Sequence, residues 1–215
     1  MIESGSGIIL RTRPLTETSL IVHWLTPDLG RIATVAKGAR RPKSPFAGKL
    51  DLFYAADFSF SRSRRSDLHN LREVKLLETH GAIREDILKL QQAGYAAAFI
   101  EQATEMEAPL PEIFEVTRGF LQHLCAHTPQ PQTIFALEFK LLQELGLEPN
   151  FEETHLTPGA KKIVQTLLAG GWADGARLRL SDTQHSELRQ FLHGFLIFHL
   201  GRLPRGRAAA LAKPN

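Results

Sequence analysis

The chain has 215 residues, 43% hydrophobic and 23% charged, ordinary values for a globular protein with a core of real size. Its single cysteine, Cys125, excludes an intrachain disulfide and any zinc site built from several thiolates, and no window approaches the roughly 18 apolar residues of a membrane span. The formal net charge of +3 conceals a pattern: residues 1–75 hold 13 Lys and Arg against 7 Asp and Glu, residues 76–155 hold 4 against 13, and residues 156–215 hold 9 against 3. A polyanion is expected to meet the two basic ends and avoid the acidic middle. The lone cysteine and an N-terminus without a signal peptide's apolar stretch point to a cytoplasmic protein.

The first 80 residues read as β-structure. Gly7–Arg13 is a short apolar strand ending at Pro14. Ser19–Thr26 is rich in β-branched and aromatic residues, and Pro27-Asp28-Leu29-Gly30 turns it back into a strand over Arg31–Lys37. Leu50–Phe60 and Asp67–Glu78 follow, separated by Ser61-Arg62-Ser63-Arg64-Arg65-Ser66. Five short strands with turns between them predict a small closed barrel, and periodicity alone leaves an OB-fold and an SH3-like barrel open. From Gly81 the pattern turns helical. Arg84–Met106 breaks at Pro109-Leu110-Pro111, Pro111 opens a second helix, and Thr133–Leu145 is amphipathic and stops at Gly146. Pro158–Leu168 and Ser181–Leu200 complete the set, the latter with Ser181 as N-cap and a strongly apolar face of core character. The expected division is a barrel over residues 1–80 and a helical domain over 81–215.

Between Arg31 and Lys49 stand six basic residues and no acidic one. Lys37, Gly38, Arg40, Arg41 and Lys43 are its centre, where the glycine keeps side-chain bulk away from an approaching phosphate. The plain alternative is a solvated charged turn. The second basic loop, with Arg62, Arg64 and Arg65, argues against it, since two such loops on one small barrel suggest a groove. A groove blind to sequence usually adds aromatic platforms. Phe46 is the candidate, while most of Trp24, Phe53, Tyr54, Phe58 and Phe60 are expected to fill the barrel. Arg202, Arg205 and Arg207 read equally as an extension of that surface or as a frayed end.

No nucleotide-binding, hydrolase or metalloprotease motif is present, and no carboxylate pair falls beside the basic cluster. His123 and His127 are spaced for one helix face but lack a third ligand, so a surface pair is expected. His23 is expected as an ordinary strand residue, and the Asp and Glu of the middle as a solvated face. Neither a catalytic group nor a metal or other cofactor is expected. The chemistry the residues support is binding.

The run IILRTRPLTETSLIVHWLTPDLGRIATVAKGARRPKS resembles the N-terminal signature of the bacterial RecO recombination-mediator family. The resemblance rests on Arg11-Thr12-Arg13-Pro14-Leu15, Glu17 to Leu20, Thr26-Pro27, Gly30, Ala36 to Arg40 and Ser44. It continues through Leu50 to Phe53 and returns at PLPEIFEVTRGFLQHL, Leu137–Phe151 and Phe195–Arg202. It implies an OB barrel followed by a helical domain, and binding of single- and double-stranded DNA with annealing of complementary strands. Implied partners are RecR, the acidic C-terminal tail of single-strand-binding protein and, indirectly, RecA. Carried over to this chain, phosphate contact falls to Lys37 and Arg40, supported by Arg41 and Lys43. Arg31, Lys49 and the second basic loop join them as DNA-binding candidates, and Lys161 and Lys162 are candidates for the protein tail.

The chain departs from the family where Gly146–Pro149 would lead into a four-cysteine zinc module. Asn150 to His155 instead runs straight to Pro158 without a cysteine, so structural zinc is expected to be absent. Arg205-Gly206 stands where a Lys-Ser pair is common. The resulting expectation is an α+β protein, cytoplasmic and nucleoid-associated, acting as a non-enzymatic recombination mediator. The alternative is a general single-stranded DNA- or RNA-binding protein without mediator activity, and a nucleic-acid-processing enzyme is the disfavoured third.

Overall fold

The computed structural model describes residues 2–214, which form two compact units. Residues 82–103 and 119–214 make up the helical unit, and residues 2–81 with 104–118 the barrel unit. Its five strands are β1 (Ile2–Pro14), β2 (Leu20–Thr26), β3 (Gly30–Ala36), β4 (Ala55–Ser61) and β5 (Leu68–Glu78). They close a barrel in the order β1-β2-β3-β5-β4. β5 runs parallel to β3 while β4 returns antiparallel to β1, which is the OB connectivity.

Alternation decides what fills this barrel. Ile9, Val22, Trp24, Ile32, Ala36, Phe58, Phe60, Leu71 and Val74 point inward into one cluster. Trp24 stacks on Phe58 with ring centroids 4.2 Å apart and donates its indole N–H to Thr34 Oγ1 at 2.9 Å, so its one polar atom is satisfied in the core. Phe46 reaches this cluster from its loop and is buried, which removes it as a stacking platform. Trp24, Phe53, Phe58 and Phe60 are buried as expected.

Two strand boundaries differ from the sequence expectation for local reasons. β1 begins at Ile2 because Ile2–Ile8 pairs with Ser61–Ala55, although its Ser-Gly-Ser-Gly stretch has no strand-like pattern. Gly7 is needed there, since a side chain would press to 2.8 Å from the Leu25 carbonyl. β4 begins only at Ala55, because Phe53 adopts φ 64 and breaks the extension while its N–H donates to the Ile9 carbonyl at 2.7 Å.

The β2–β3 turn is the most constrained point of the unit. Thr26 Oγ1 donates to the Gly30 carbonyl at 2.9 Å and accepts from Leu29 N–H at 3.0 Å. Gly30 has φ 65, and the segment 104–110 lies directly against it. A Cβ at Gly30 would stand 1.8 Å from the Ala108 carbonyl oxygen. The same segment donates Glu107 N–H to the Arg31 carbonyl at 2.8 Å and Leu110 N–H to the Pro27 carbonyl at 3.0 Å.

In the helical unit lie α1 (Ile87–Ala103), the later part of α2 (Pro111–Ala126), α3 (Pro131–Glu144), α4 (Pro158–Ala169), α5 (Trp172–Arg177), α6 (Asp182–Leu200) and α7 (Arg207–Ala210). α3 is its centre: every residue from Thr133 to Phe139 is buried, a wider burial than the amphipathic pattern of its sequence alone requires. Ser181 and Gln184 form the capping box that opens α6, and Gly201 closes it at φ 73. α5 and α7 escaped the sequence reading because six and four residues are too few to show a period.

α7 overturns the picture of a frayed basic tail. Arg207 is buried and grips the fully buried Glu138 of α3 with both arms, at 2.6 and 2.9 Å. Tyr95 of α1 donates its hydroxyl to the same carboxylate, and burial, then that carboxylate, push the phenol well above its usual range. Gln92 adds a bond from its side-chain amide to the Ala210 carbonyl at 3.0 Å. Glu138 is thus an interior charge rather than part of a solvated acidic face.

Gly30→Ala is expected to destabilise the protein by roughly 2–5 kcal/mol, combining a strained left-handed backbone with a steric clash; chemical denaturation measures it. Arg207→Met should cost about 3–5 kcal/mol by leaving the Glu138 carboxylate buried and unpaired. Adding Glu138→Leu and Tyr95→Phe, which leaves no polar group of the cluster unpaired, should return most of that loss, and a triple variant as unstable as the single one rules out the paired-charge account.

Candidate nucleic-acid interface

Barrel topology sets which basic residues can share a surface. β3 leads into loop 37–54 at the end where loop 15–19 joins β1 to β2. Leu68 at the start of β5 pairs in parallel with Ala33, so loop 62–67 lies toward the opposite end of β3, near Gly30. The two basic loops therefore do not face each other across one groove. They sit at the two ends of a strand about 20 Å long, six steps of extended chain.

The strand face between them carries cations that the sequence reading passed over. Arg11 and Arg13 of β1 are exposed, and Arg11 is in register with His23 of β2 and, through it, Ala33 of β3. Arg13 Nη2 lies 3.2 Å from His23 Nε2, which places both on one face. His23 is half-buried; burial first, then Arg13, Arg11 and Arg31, push its pKa down to about 4. It is neutral near pH 7, so the arginines supply the charge. Strict alternation from the inward Ile9 would have pointed Arg11 and Arg13 into the barrel; the irregularity between Ile9 and Arg11 turns both outward, and no local pattern announces it.

At the first end, Lys37, Arg40, Arg41 and Lys43 are exposed. Gly38 has φ 70, allowing the chain to turn sharply after β3. Arg40 fastens this loop to its neighbour: its N–H donates to the Thr18 carbonyl at 3.0 Å and its guanidinium to the Thr16 carbonyl at 3.1 Å. Lys37, Gly38 and Arg41 line a hollow of about 380 Å³ together with Thr16, Thr18 and Ser19. Among the described residues no carboxylate pairs with Lys37, Arg41 or Lys43, so their charge faces outward.

The other candidates separate. Arg64 and Arg65 are exposed at the second end. Arg62 is tied to carboxylates instead: Nε and Nη2 bond Glu3 at 2.8 and 2.9 Å, and Nη1 bonds Glu107 at 2.6 Å. Arg31 is half-buried, with Nε donating to Thr104 Oγ1 at 2.7 Å. Lys49 stands apart, beside a groove of about 710 Å³ that carries both signs, with Arg72 and Lys75 against Asp28, Asp57 and Glu73. Lys161 is half-buried and Lys162 exposed, both on α4 of the helical unit.

His123 is buried and stacks on the exposed His127 at 4.3 Å, so the pair is half interior rather than a surface pair. Burial, then His127, push its pKa down to about 4. Among the described residues no group of three or more His, Cys, Asp or Glu is placed to hold a metal ion, and no helix is long and apolar enough to cross a membrane.

Chemically, this arrangement is a track of fixed positive charge; among the described residues the barrel's rings Trp24, Phe46, Phe53, Phe58 and Phe60 are buried, and Tyr54 is half-buried against the core. The track matches the repeating charge of a nucleic-acid backbone and carries no means of reading a base. Residues 1–80 match the family model described as Recombination protein O N terminal, and residues 84–157 the model described as Recombination protein O C terminal. A protein of Anaeromyxobacter sp. (strain K) named DNA repair protein RecO is 28% identical, with 92% of this chain and 91% of that one covered. One of the same name from Bacillus pumilus is 30% identical over 71% of this chain and 59% of its own length. Another from Bacillus cereus (strain AH187) is 27% identical over 94% and 84%.

Replacing Lys37 and Arg41 together with alanine should weaken binding to a single-stranded oligonucleotide and flatten the plot of log affinity against log salt by about one phosphate contact per residue. Equilibrium binding at several salt concentrations measures this, and an unchanged slope removes the first end of the track from the interface.

Proposed function

The chain belongs to the RecO family of DNA repair proteins, and from that premise we propose that it is a DNA-binding recombination mediator that anneals complementary strands without catalytic turnover. The observation that carries this reading is the arginine track on the β1–β3 face, joining Lys37, Arg40 and Arg41 at one end to Arg64 and Arg65 at the other. Annealing has to overcome repulsion between two phosphate backbones, and a surface of concentrated positive charge lowers that barrier without distinguishing sequences. The burial of the barrel's rings supports the same reading. A protein that held bases tightly by stacking would mask the edges that must pair with the incoming strand.

The physiological setting follows from the family. The protein would act with RecR to help load RecA onto single-stranded DNA coated by single-strand-binding protein, and take hold of the coating protein's acidic C-terminal tail. Lys161 and Lys162 remain the proposed contacts for that tail. Cytoplasmic, nucleoid-associated action and the absence of a required cofactor are part of the proposal.

The test is annealing of two complementary oligonucleotides followed by fluorescence. The full chain should accelerate it without metal or nucleotide, and both strands should be recovered intact. Cleaved strands or an absolute Mg²⁺ requirement overturn the reading. Tight binding with no acceleration favours instead a general single-stranded nucleic-acid-binding protein.

A further inference from the structure

Arg62 stands among the basic residues of its loop, yet its three donor atoms are all engaged by carboxylates. Glu3 occupies Nε and Nη2, and Glu107 occupies Nη1 at 2.6 Å. This network differs from the buried Glu138–Arg207 pair in its access to water. The Arg62 and Glu107 side chains are 34% and 36% exposed, against 5% and 0% for Arg207 and Glu138. A buried pair fixes a fold, whereas an exposed one can exchange partners.

The geometry of Glu107 favours such an exchange. Its second carboxylate oxygen lies 3.1 Å from Nε2 of the buried His69 without completing a hydrogen bond to it, so Arg62 supplies the carboxylate's directed side-chain bond. Its backbone has φ 58, a left-handed conformation uncommon outside glycine that its contacts must hold in place. One of them is the bond from its N–H to the carbonyl of Arg31, on the strand that carries the track. Arg64 and Arg65 stand two and three residues from Arg62 and are exposed, so a backbone drawn to them arrives beside Nη1.

We propose that Glu107 is a built-in phosphate surrogate: it occupies Arg62 in the free protein, and a DNA phosphate replaces it there when DNA lies along the track. The inference rests on the DNA-binding reading and adds its regulation. Glu3 keeps two donors of Arg62 and holds the guanidinium in place, while Nη1 changes from carboxylate to phosphate. Glu107 then loses its main restraint, and segment 104–110 loosens against the β2–β3 turn. By reciprocity, anything that pulls this segment from the barrel raises DNA affinity by the same factor.

The experiment compares Glu107→Gln with Glu105→Gln in binding a single-stranded oligonucleotide. Both remove one negative charge from the same segment, but Glu105 is exposed and has no partner among the described residues. Glu107→Gln should tighten binding by roughly three- to tenfold at low salt and steepen the salt dependence by about one contact. Glu105→Gln should change it less than about twofold, and adding Arg62→Ala to Glu107→Gln should abolish the gain. Equal effects of the two glutamine variants, or no gain with Glu107→Gln, overturn the surrogate role. The Lys37→Ala/Arg41→Ala variant in the same assay separates the two readings: if it binds as well as the unaltered protein, the DNA face itself is misplaced. Amide exchange on the unaltered chain gives a second measure, independent of how the variants fold. DNA should speed exchange at the Glu107 N–H, and slower or unchanged exchange there overturns the proposal.

Discussion

A five-stranded barrel has a narrow interior, and large rings fill it. Trp24, Phe58 and Phe60 pack in contact at its centre, with Phe46 reaching in from the basic loop. That use of the aromatic residues governs the rest of the first unit. With the rings inside, the outer face has few apolar or π surfaces to offer a base. What β1 to β3 present outward is charge, from Arg11, Arg13 and the loops at their ends. The face is suited to gripping a backbone and letting bases go, because charge acts at a distance and stacking requires the base to be held.

Positive charge on this chain is divided between two uses that composition cannot distinguish. Lys37, Arg41, Lys43, Arg64 and Arg65 remain exposed. Arg31 and Arg62 help fasten segment 104–110 to the barrel, and Arg207 fastens α7 into the helical unit. The cost of burial separates the cases. Arg207 is almost wholly desolvated and needs a bidentate partner to offset the cost of burying its charge, so it is committed to the fold. Arg62 keeps a third of its side chain in water, so exchanging a partner would cost it far less than it would cost Arg207.

The acidic middle acquires a more specific meaning on the same grounds. Glu138 lies inside the helical unit, paired, while Glu107 lies on the barrel against the basic loop. Part of the negative charge thus holds the helical unit together, and part pairs with a basic residue on the barrel. Both uses depend on short contacts, which a regional net charge averages away.

Local signals in the sequence determined much of this protein. The Thr26–Gly30 turn, the strand alternation, the Pro111 helix start and the Ser181 cap are each written within a few residues, because backbone conformation responds to near neighbours. The family signature and the exposed Lys37–Lys43 cluster were legible for the same reason. Only the tertiary structure decided the fate of Phe46, Arg31, Arg62 and Arg207. Arg62 meets Glu3 across 59 residues and Glu107 across 45, and Arg207 meets Glu138 across 69. An ionic side chain is free or engaged according to which carboxylate the fold brings within 3 Å, and no local pattern encodes a partner so distant in the chain.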